Sequence, residues 1–223
     1  MLIREWMTGD VITVTPETSM LKASKLMKDH GIRRLPVVDD SKHVIGIVSD
    51  RDVKAASPSK ATTLDMHELY YLLSEVKIKD IMTQKPFTIR DNETVEMAAV
   101  LMEEKNFGGL PVVNAENILV GIITDHDIFK VLIDISGARE GGIQLAFLLP
   151  DKTGILCPVF DSLREFGANV LSVLTSRSKS QCGSSHVYIR LHPMDADKEK
   201  ALLEYMKKSM PLEYWVDDEM HPL

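Results

Sequence analysis

Cysteine is nearly absent: Cys157 and Cys182 are the only two in 223 residues, and they form no CxxC pair. That excludes a disulfide framework and a thiolate metal site, and two reduced, buried thiols are the expectation. Positive charge is short as well. Twenty-six Lys and Arg against 33 Asp and Glu give a formal net charge of -7, so the overall field repels nucleic acid and anionic lipid. No apolar run approaches the ~20 residues that span a bilayer. The opening MLIREWMTGD places charges where a signal peptide needs an apolar stretch. A cytoplasmic protein with neither membrane nor nucleic-acid partners is expected. Catalytic signatures are missing too, with no GxSxG, P-loop or nucleophilic-cysteine motif. His67 stands alone, and His186 and His192 flank an expected strand too far apart for one helical face. No catalytic residue, metal ligand or catalytic cofactor is assigned, and the chain does not read as an enzyme.

What the chain does have is a repeat. Shifted by 75 residues, Met7–Val53 aligns without a gap on Met82–Ile128, and 14 of the 47 pairs are identical. Unrelated segments match at roughly one position in sixteen on ordinary residue usage. The duplication is therefore real. Each copy predicts a short strand (VITV or PFTI), then a helix capped by Ser19 or Thr94. Ala23, Leu26, Met27 and His30 recur at helical spacing before Gly31, with Val95, Ala98, Leu101 and Met102 as the matching stripe. Two β-branched runs follow, LPVVD with VIGIVS in the first copy, and a second helix starts at Ser49 or Thr124. Each copy is βαββα, too small for a secure core alone, so the two are expected to share one.

The second helix opens on Ser49-x-x-Asp52 in one copy and Thr124-x-x-Asp127 in the other. A hydroxyl followed three residues later by an acid is a capping box, which ties off free N–H groups at a helix start. The same geometry suits a nucleotide. A helix N-terminus favours phosphate, the hydroxyl adds a donor, and a carboxylate one turn inside can accept both hydroxyls of a ribose.

The patterns GIVSDRD and GIITDHD, with GIRRLPVVD and GGLPVV upstream, resemble the CBS domain, and two in tandem are similar to a Bateman module. The resemblance covers roughly residues 1–135. It implies an adenine nucleotide (AMP, ADP or ATP) bound between the copies as a regulatory ligand. By the same resemblance, Asp52 and Asp127 hold ribose and Ser49 and Thr124 lie near phosphate. Ile12, Thr13, Phe87 and Thr88 contact the base, and the residues before each Leu-Pro face the phosphates. Those are Arg33 and Arg34 in the first copy but Gly108 and Gly109 in the second. Arginine forks suit phosphate oxygens, so polyphosphate recognition should lean on the first copy's pair and the two sites should be unequal. Arg51 and His126 inside the motifs are weaker candidates, since a charge in a first helical turn is usually solvated.

Between the copies, the Ser/Pro/Thr stretch from Lys54 reads as loop and LDMHELYYLLSEV as one short helix, with His67, Tyr70 and Tyr71 packing. After Arg139–Gly142, a hinge, the order IQLAFLL, GILCPVFDSLREFG, NVLSVLTS, HVYIRL, DADKEKALLEYMKKS and LEYWVD predicts βαββαβ, the ferredoxin-like arrangement. Leu156, Val159, Phe160, Leu163 and Phe166 form the first helix's apolar stripe. The turn PDKTGIL, Pro150 to Leu156, resembles the ligand loop of ACT domains. That implies an amino acid or similar metabolite near Asp151, Gly154, Ile155, Leu156 and Asn169. The structural alternative is that Asp151 only caps a helix and Gly154 only permits the turn.

The expected fold class is therefore α/β (α+β): two βαββα repeats packed as a Bateman module, plus a βαββαβ ferredoxin-like ACT domain. The expected boundaries are 1–56 for the first repeat, 57–80 for the connection, 81–138 for the second repeat, 139–142 for the hinge and 143–218 for the last domain. A CBS pair followed by an ACT domain resembles the acetoin utilization protein AcuB family. The resemblance implies a ligand-sensing regulator of acetoin and butanediol catabolism acting on an unidentified enzyme, and a homodimer is expected because the two module types each bury faces by symmetric pairing. The alternatives are a scaffold that binds no ligand, or an unrecognised enzyme.

Overall fold

The computed structural model describes residues 1–57, 71, 73–177 and 183–217. Cys182, His67 and Tyr70, and with them most of the helix expected between the repeats, lie outside these residues. Tyr71 is exposed rather than packed. The chain divides into two compact units, Met1–Phe129 and Lys130–Leu223.

In the first unit each repeat contributes a helix and a β-hairpin at the same offset. Helix Met20–Asp29 matches Val95–Lys105, β1 (Arg34–Val38) matches β5 (Gly109–Val113), and β2 (Val44–Ser49) matches β6 (Leu119–Thr124). The hairpins share even their irregularity, a register shift between Val37 and Val38 and again between Val112 and Val113. The caps form as expected. Ser19 accepts from the Lys22 N–H at 3.3 Å and Thr94 from that of Met97 at 3.2 Å. Both helices end in a left-handed residue, Gly31 at φ 64° and its equivalent Asn106 at φ 56°; asparagine is the usual substitute where glycine is absent. Leu35, Val37 and Val48 are buried, as are their equivalents Leu110, Val112 and Ile123.

Two expectations fail locally. The first strand of each copy shrinks to a single parallel bridge, Val14 to Val37, and to the two residues of β4 (Ile89–Arg90) beside β5. Pro16 and Pro86 bound these segments and have no N–H to extend a ladder. His30 is exposed at the helix end and takes no part in the buried stripe.

The repeat also begins earlier than Met7. Ile3 N–H donates to Glu93 O (2.9 Å) and Ile78 N–H to Thr18 O (2.9 Å); Val95 N–H donates to Met1 O (3.0 Å) and Met20 N–H to Val76 O (2.8 Å). Each pair is the other shifted by the same offset. The 3₁₀ turn Ile3–Glu5 and the short helix Ile78–Ile81 are thus equivalent lead-ins, each laid on the opposite repeat, and Ile3 and Ile78 are fully buried. Further on, β3 (Thr83–Gln84) pairs with β2, while Thr8 bridges to Ile122. A Cβ on Gly46 would collide with Met82 and one on Gly121 with Met7. Such reciprocity is the mark of an isologous contact, here within one chain. His43 bridges to Ile118, its own equivalent, so the pseudo-twofold axis passes between them.

In the second unit, β7 (Ile143–Pro150), helix Cys157–Glu165, β8 (Val170–Ser176), β9 (Ser184–Leu191), helix Ala196–Ser209 and β10 (Leu212–Asp217) follow the expected βαββαβ order. The sheet order is β10-β7-β9-β8, every neighbour antiparallel. Leu145, Phe147 and Leu149 of β7 and Val187, Ile189 and Leu191 of β9 alternate into a core closed by Val159, Leu163, Leu202, Leu203 and Met206. A Cβ at Gly142 (φ 82°) would strike the Leu191 carbonyl, which is why the Gly141–Gly142 pair stands there. Cys157 is a free thiol but exposed, not buried. It sits one residue off the stripe formed by Leu156, Val159, Phe160 and Leu163.

Candidate functional site

Strand pairing brings the predicted residues of each repeat together. Arg34 pairs with Ser49 across β1 and β2, and Gly109 with Thr124 across β5 and β6. The backbone then turns identically into the second helix, with Asp50 N–H to Arg33 O at 2.9 Å and Asp125 N–H to Gly108 O at 3.2 Å. Both capping boxes are closed. Ser49 donates its hydroxyl to Asp52 Oδ2 at 2.6 Å, its N–H donates to the same oxygen at 2.7 Å, and its Oγ accepts from Asp52 N–H at 3.3 Å. Thr124 and Asp127 repeat this at 2.7, 3.0 and 3.4 Å. Asp52 is half-buried and Asp127 fully so. In this state the hydroxyl and one carboxylate oxygen of each motif serve the helix start, so a ribose would have to share or replace those bonds.

The arginine pair separates. Arg33 is exposed and its charge acts on Asp50. The Asp50 carboxyl is held below the usual carboxylate range, chiefly by the hydrogen bond from Lys54 at 2.8 Å, with Arg33 and Arg51 adding attraction against the opposing effect of burial. Arg34 is half-buried and crosses to the other repeat. A Cβ on Gly108 would overlap its guanidinium and lie 3.1 Å from Asp125 Oδ2; one on Gly109 would lie 3.4 Å from Arg34 Cδ and 3.3 Å from Thr124 Cγ2. Neither glycine has a left-handed φ, so they are there for space. Residues 34 and 109 are equivalents facing each other across the pseudo-twofold axis, where two arginines would clash and repel. One arginine and one glycine resolve this: the guanidinium ends over Gly108, on the side that the Asp125 carboxylate also approaches, while Arg34 Cδ lies over Gly109. The arginine of the first copy therefore stands at the second copy's motif.

The base-contact candidates differ in the same sense. Ile12 and Thr13 are half-buried. Phe87, the equivalent of Ile12, is about half exposed and packs with Phe107 at a centroid distance of 5.5 Å, with Lys105 Nζ 5.9 Å from its ring. Thr88 is exposed. Phe107, the equivalent of Ile32, was not singled out from sequence, although its position beside Gly108 would have signalled it. Arg51 and His126 are both exposed in first helical turns.

In the second unit the predicted turn borders a cavity of about 350 Å³ lined by Asp151, Lys152, Gly154, Ile155, Leu156, Leu149, Pro150, Thr175, Arg177, Ser185 and Val187. Asp151 pairs with Arg177 at 3.2 Å instead of capping the helix, whose cap at Leu156 makes no side-chain hydrogen bond. Gly154 takes φ 75°. Asn169 lies elsewhere: its carbonyl accepts from His192 N–H at one end of β8, while Thr175 reaches the cavity at the other. Asn169 is therefore not brought to this cavity, because the β8–β9 register separates the two by most of the strand.

The CBS domain family model matches residues 3–59 and 78–134, the same offset as the structural repeat and beginning at the two lead-in isoleucines. A CBS domain-containing protein of Dictyostelium discoideum is 34% identical over 134 residues, 60% of this chain and 92% of that one. The crystal structure of the Arabidopsis thaliana protein CBSX2 in complex with AMP aligns at TM-score 0.50 and 34% identity, covering 60% of this chain and 98% of that one. A putative acetoin utilization protein (AcuB) from Vibrio cholerae aligns at TM-score 0.52 and 30% identity, covering 63% and 96%. Several other curated relatives, enzymes among them, are longer, and this chain spans less than half of their length.

Proposed function

Since the chain belongs to the CBS domain family, we propose that its paired repeats sense an adenine nucleotide and that the second repeat's motif is the stronger site. The observation that carries this reading is Arg34, whose guanidinium stands over Gly108 of the second repeat, on the side that the Asp125 carboxylate of the second motif approaches. A nucleotide there meets Asp127 for ribose, the Thr124 hydroxyl and helix N-terminus near phosphate, Arg34 for phosphate charge and Phe87 for the base. The first motif, Ser49 with Asp52, has an Ile12 surface for the base and receives only glycine from across the axis. The AMP complex of CBSX2 supports the ligand class.

The nucleotide's binding free energy biases the arrangement of the chain, and that bias is the regulatory output. The C-terminal unit acts as an ACT-like module whose cavity, with the Asp151–Arg177 pair at its rim, takes an amino acid or similar metabolite. Resemblance to the AcuB family links the protein to acetoin and butanediol catabolism, with an unidentified enzyme as its regulated partner and no catalysis of its own. Exposed Phe87, Met97, Val100 and Phe129 on the second repeat support a homodimer.

A scaffold reading is favoured by one observation, the closed capping boxes, which account for both Asp residues without a ligand. Equilibrium dialysis of the full chain against AMP, ADP, ATP and adenosine separates the two. The sensor reading expects saturable binding of at least one nucleotide, and a flat response to all four supports the scaffold.

A further inference from the structure

We propose that the outer face of the second repeat's helix Val95–Lys105 docks a second copy of this chain, and that it receives the first repeat's helix Met20–Asp29 of that copy. This rests on the homodimer reading above and adds to it the face and the orientation. The buried stripe of Val95–Lys105 is Val95, Ala98 and Met102. At about 100° per residue, Met97 and Val100 lie on the opposite side. Both are more than half exposed, as is Phe129 in helix Asp125–Ser136. Their equivalents in the first repeat are Lys22, Lys25 and Lys54. These lysines are exposed on two helices that pack together. The first repeat adopts the same fold with lysine at all three places, so the fold does not require apolar side chains there. A partner accounts for them.

Charge identifies the occupant. Helix Val95–Lys105 carries Glu96, Glu103 and Glu104 against one cation, Lys105, whereas helix Met20–Asp29 carries Lys22, Lys25 and Lys28 against one anion, Asp29. Lys28 and Glu103 are equivalents, so the sign inverts at one and the same place of the fold. Glu103 and Glu104 form no ion pair among the described residues, and neither do the three lysines. Lysine stems cover apolar surface while their ammonium groups stay at the rim. Lys22 and Lys25 of one copy therefore fit over Met97 and Val100 of the other, with its glutamates in reach. The apolar contact supplies affinity and the charges select orientation. Pairing like repeats instead sets lysines against lysines and glutamates against glutamates, which is unfavourable. A twofold axis that seats one copy's second repeat on the other's first also does the reverse, so both faces are filled and the assembly closes at two chains.

Sedimentation equilibrium of the full chain tests this. Wild type is expected at twice the 25.0 kDa of one chain, and salt should weaken the dimer. Two charge reversals alter exposed side chains only: Lys25→Glu with Lys28→Glu, and Glu103→Lys with Glu104→Lys. Each reversal alone should raise the dimer dissociation constant about tenfold or more. Both reversals in one chain should return it to within about threefold of wild type, which also shows that the reversed chains fold. Pairing of like repeats predicts instead that neither reversal weakens the dimer, because like charges still oppose, and that salt strengthens it. Either result overturns the orientation and leaves the homodimer reading standing. Met97→Lys with Val100→Lys, which copies the first repeat, should dissociate the dimer, and a dimer unchanged by it overturns the choice of face. Wild-type chains that stay monomeric up to roughly 100 μM overturn the homodimer reading and this proposal together.

Discussion

The two repeats coincide in strand register, bulge position, helix caps and lead-in contacts, yet they part at two places where the proposed nucleotide would lie. Where the first has Arg33–Arg34 the second has Gly108–Gly109, and where the first has Ile12 and Ile32 the second has Phe87 and Phe107. Conserved geometry with divergent chemistry separates what the fold requires from what a ligand would use. Because equivalent positions face each other across the pseudo-twofold axis, a change in one copy alters the surroundings of the other.

The largest expected effect tests the shared geometry. Ile3→Ala and Ile78→Ala each remove a fully buried side chain from equivalent lead-ins and should each cost about 2–5 kcal/mol by urea denaturation. A cost below about 1 kcal/mol for either would break the equivalence. Next, Gly109→Arg alone should destabilise by about 1–3 kcal/mol, since it crowds Arg34 at the axis. Adding Arg34→Gly should recover most of that and move nucleotide preference to the first repeat's motif. No recovery in the double variant would mean that the two positions do not oppose each other.

Asp52→Ala and Asp127→Ala should cost similar stability, about 0.5–2 kcal/mol, since each opens one capping box. Their nucleotide affinities should differ, with the larger loss in Asp127→Ala. Early melting with unchanged binding in both would favour the scaffold. The smallest effect lies at Asp50, which is hydrogen-bonded to Lys54, whereas its equivalent Asp125 has Phe129 four residues on. A carboxyl held below its ordinary value of 3.8 stabilises the fold above that pH and loses the contribution as pH falls through its lower folded value. Asp50→Asn should flatten acid unfolding by less than about 1 kcal/mol, the range for exposed pairs, and Asp125→Asn should lack the Lys54-dependent part. Equal flattening in the two variants would argue against that difference.

Much of this architecture was legible because it rests on local signals. Ser19 and Thr94 as caps, the hairpins and the βαββαβ order follow from residue type and periodicity. The lead-ins were missed because Ile3 and Ile78 stand alone among Leu2/Lys77 and Trp6/Ile81, without a run of identities to extend the alignment. The direction of Arg34 was not legible either. Sequence places an arginine before Leu-Pro, while the axis that sends its side chain onto the other copy exists only after both repeats pack. The distance of Asn169 from the cavity was hidden for a related reason: a motif offset says nothing of which end of β8 meets a cavity. Cys157 was judged by rarity, when its place beside the apolar stripe already marked it as exposed.

The central claim is that Arg34 reads phosphate at the second repeat's motif, and calorimetric titration of wild type and Arg34→Gly with adenosine, AMP and ATP tests it most directly. A charge-assisted hydrogen bond contributes roughly 1.5–3 kcal/mol, so the account predicts a loss of about ten- to a hundredfold for ATP, a smaller one for AMP and little change for adenosine. Equal losses for all three ligands would contradict it, showing that the arginine shapes the pocket and does not recognise phosphate.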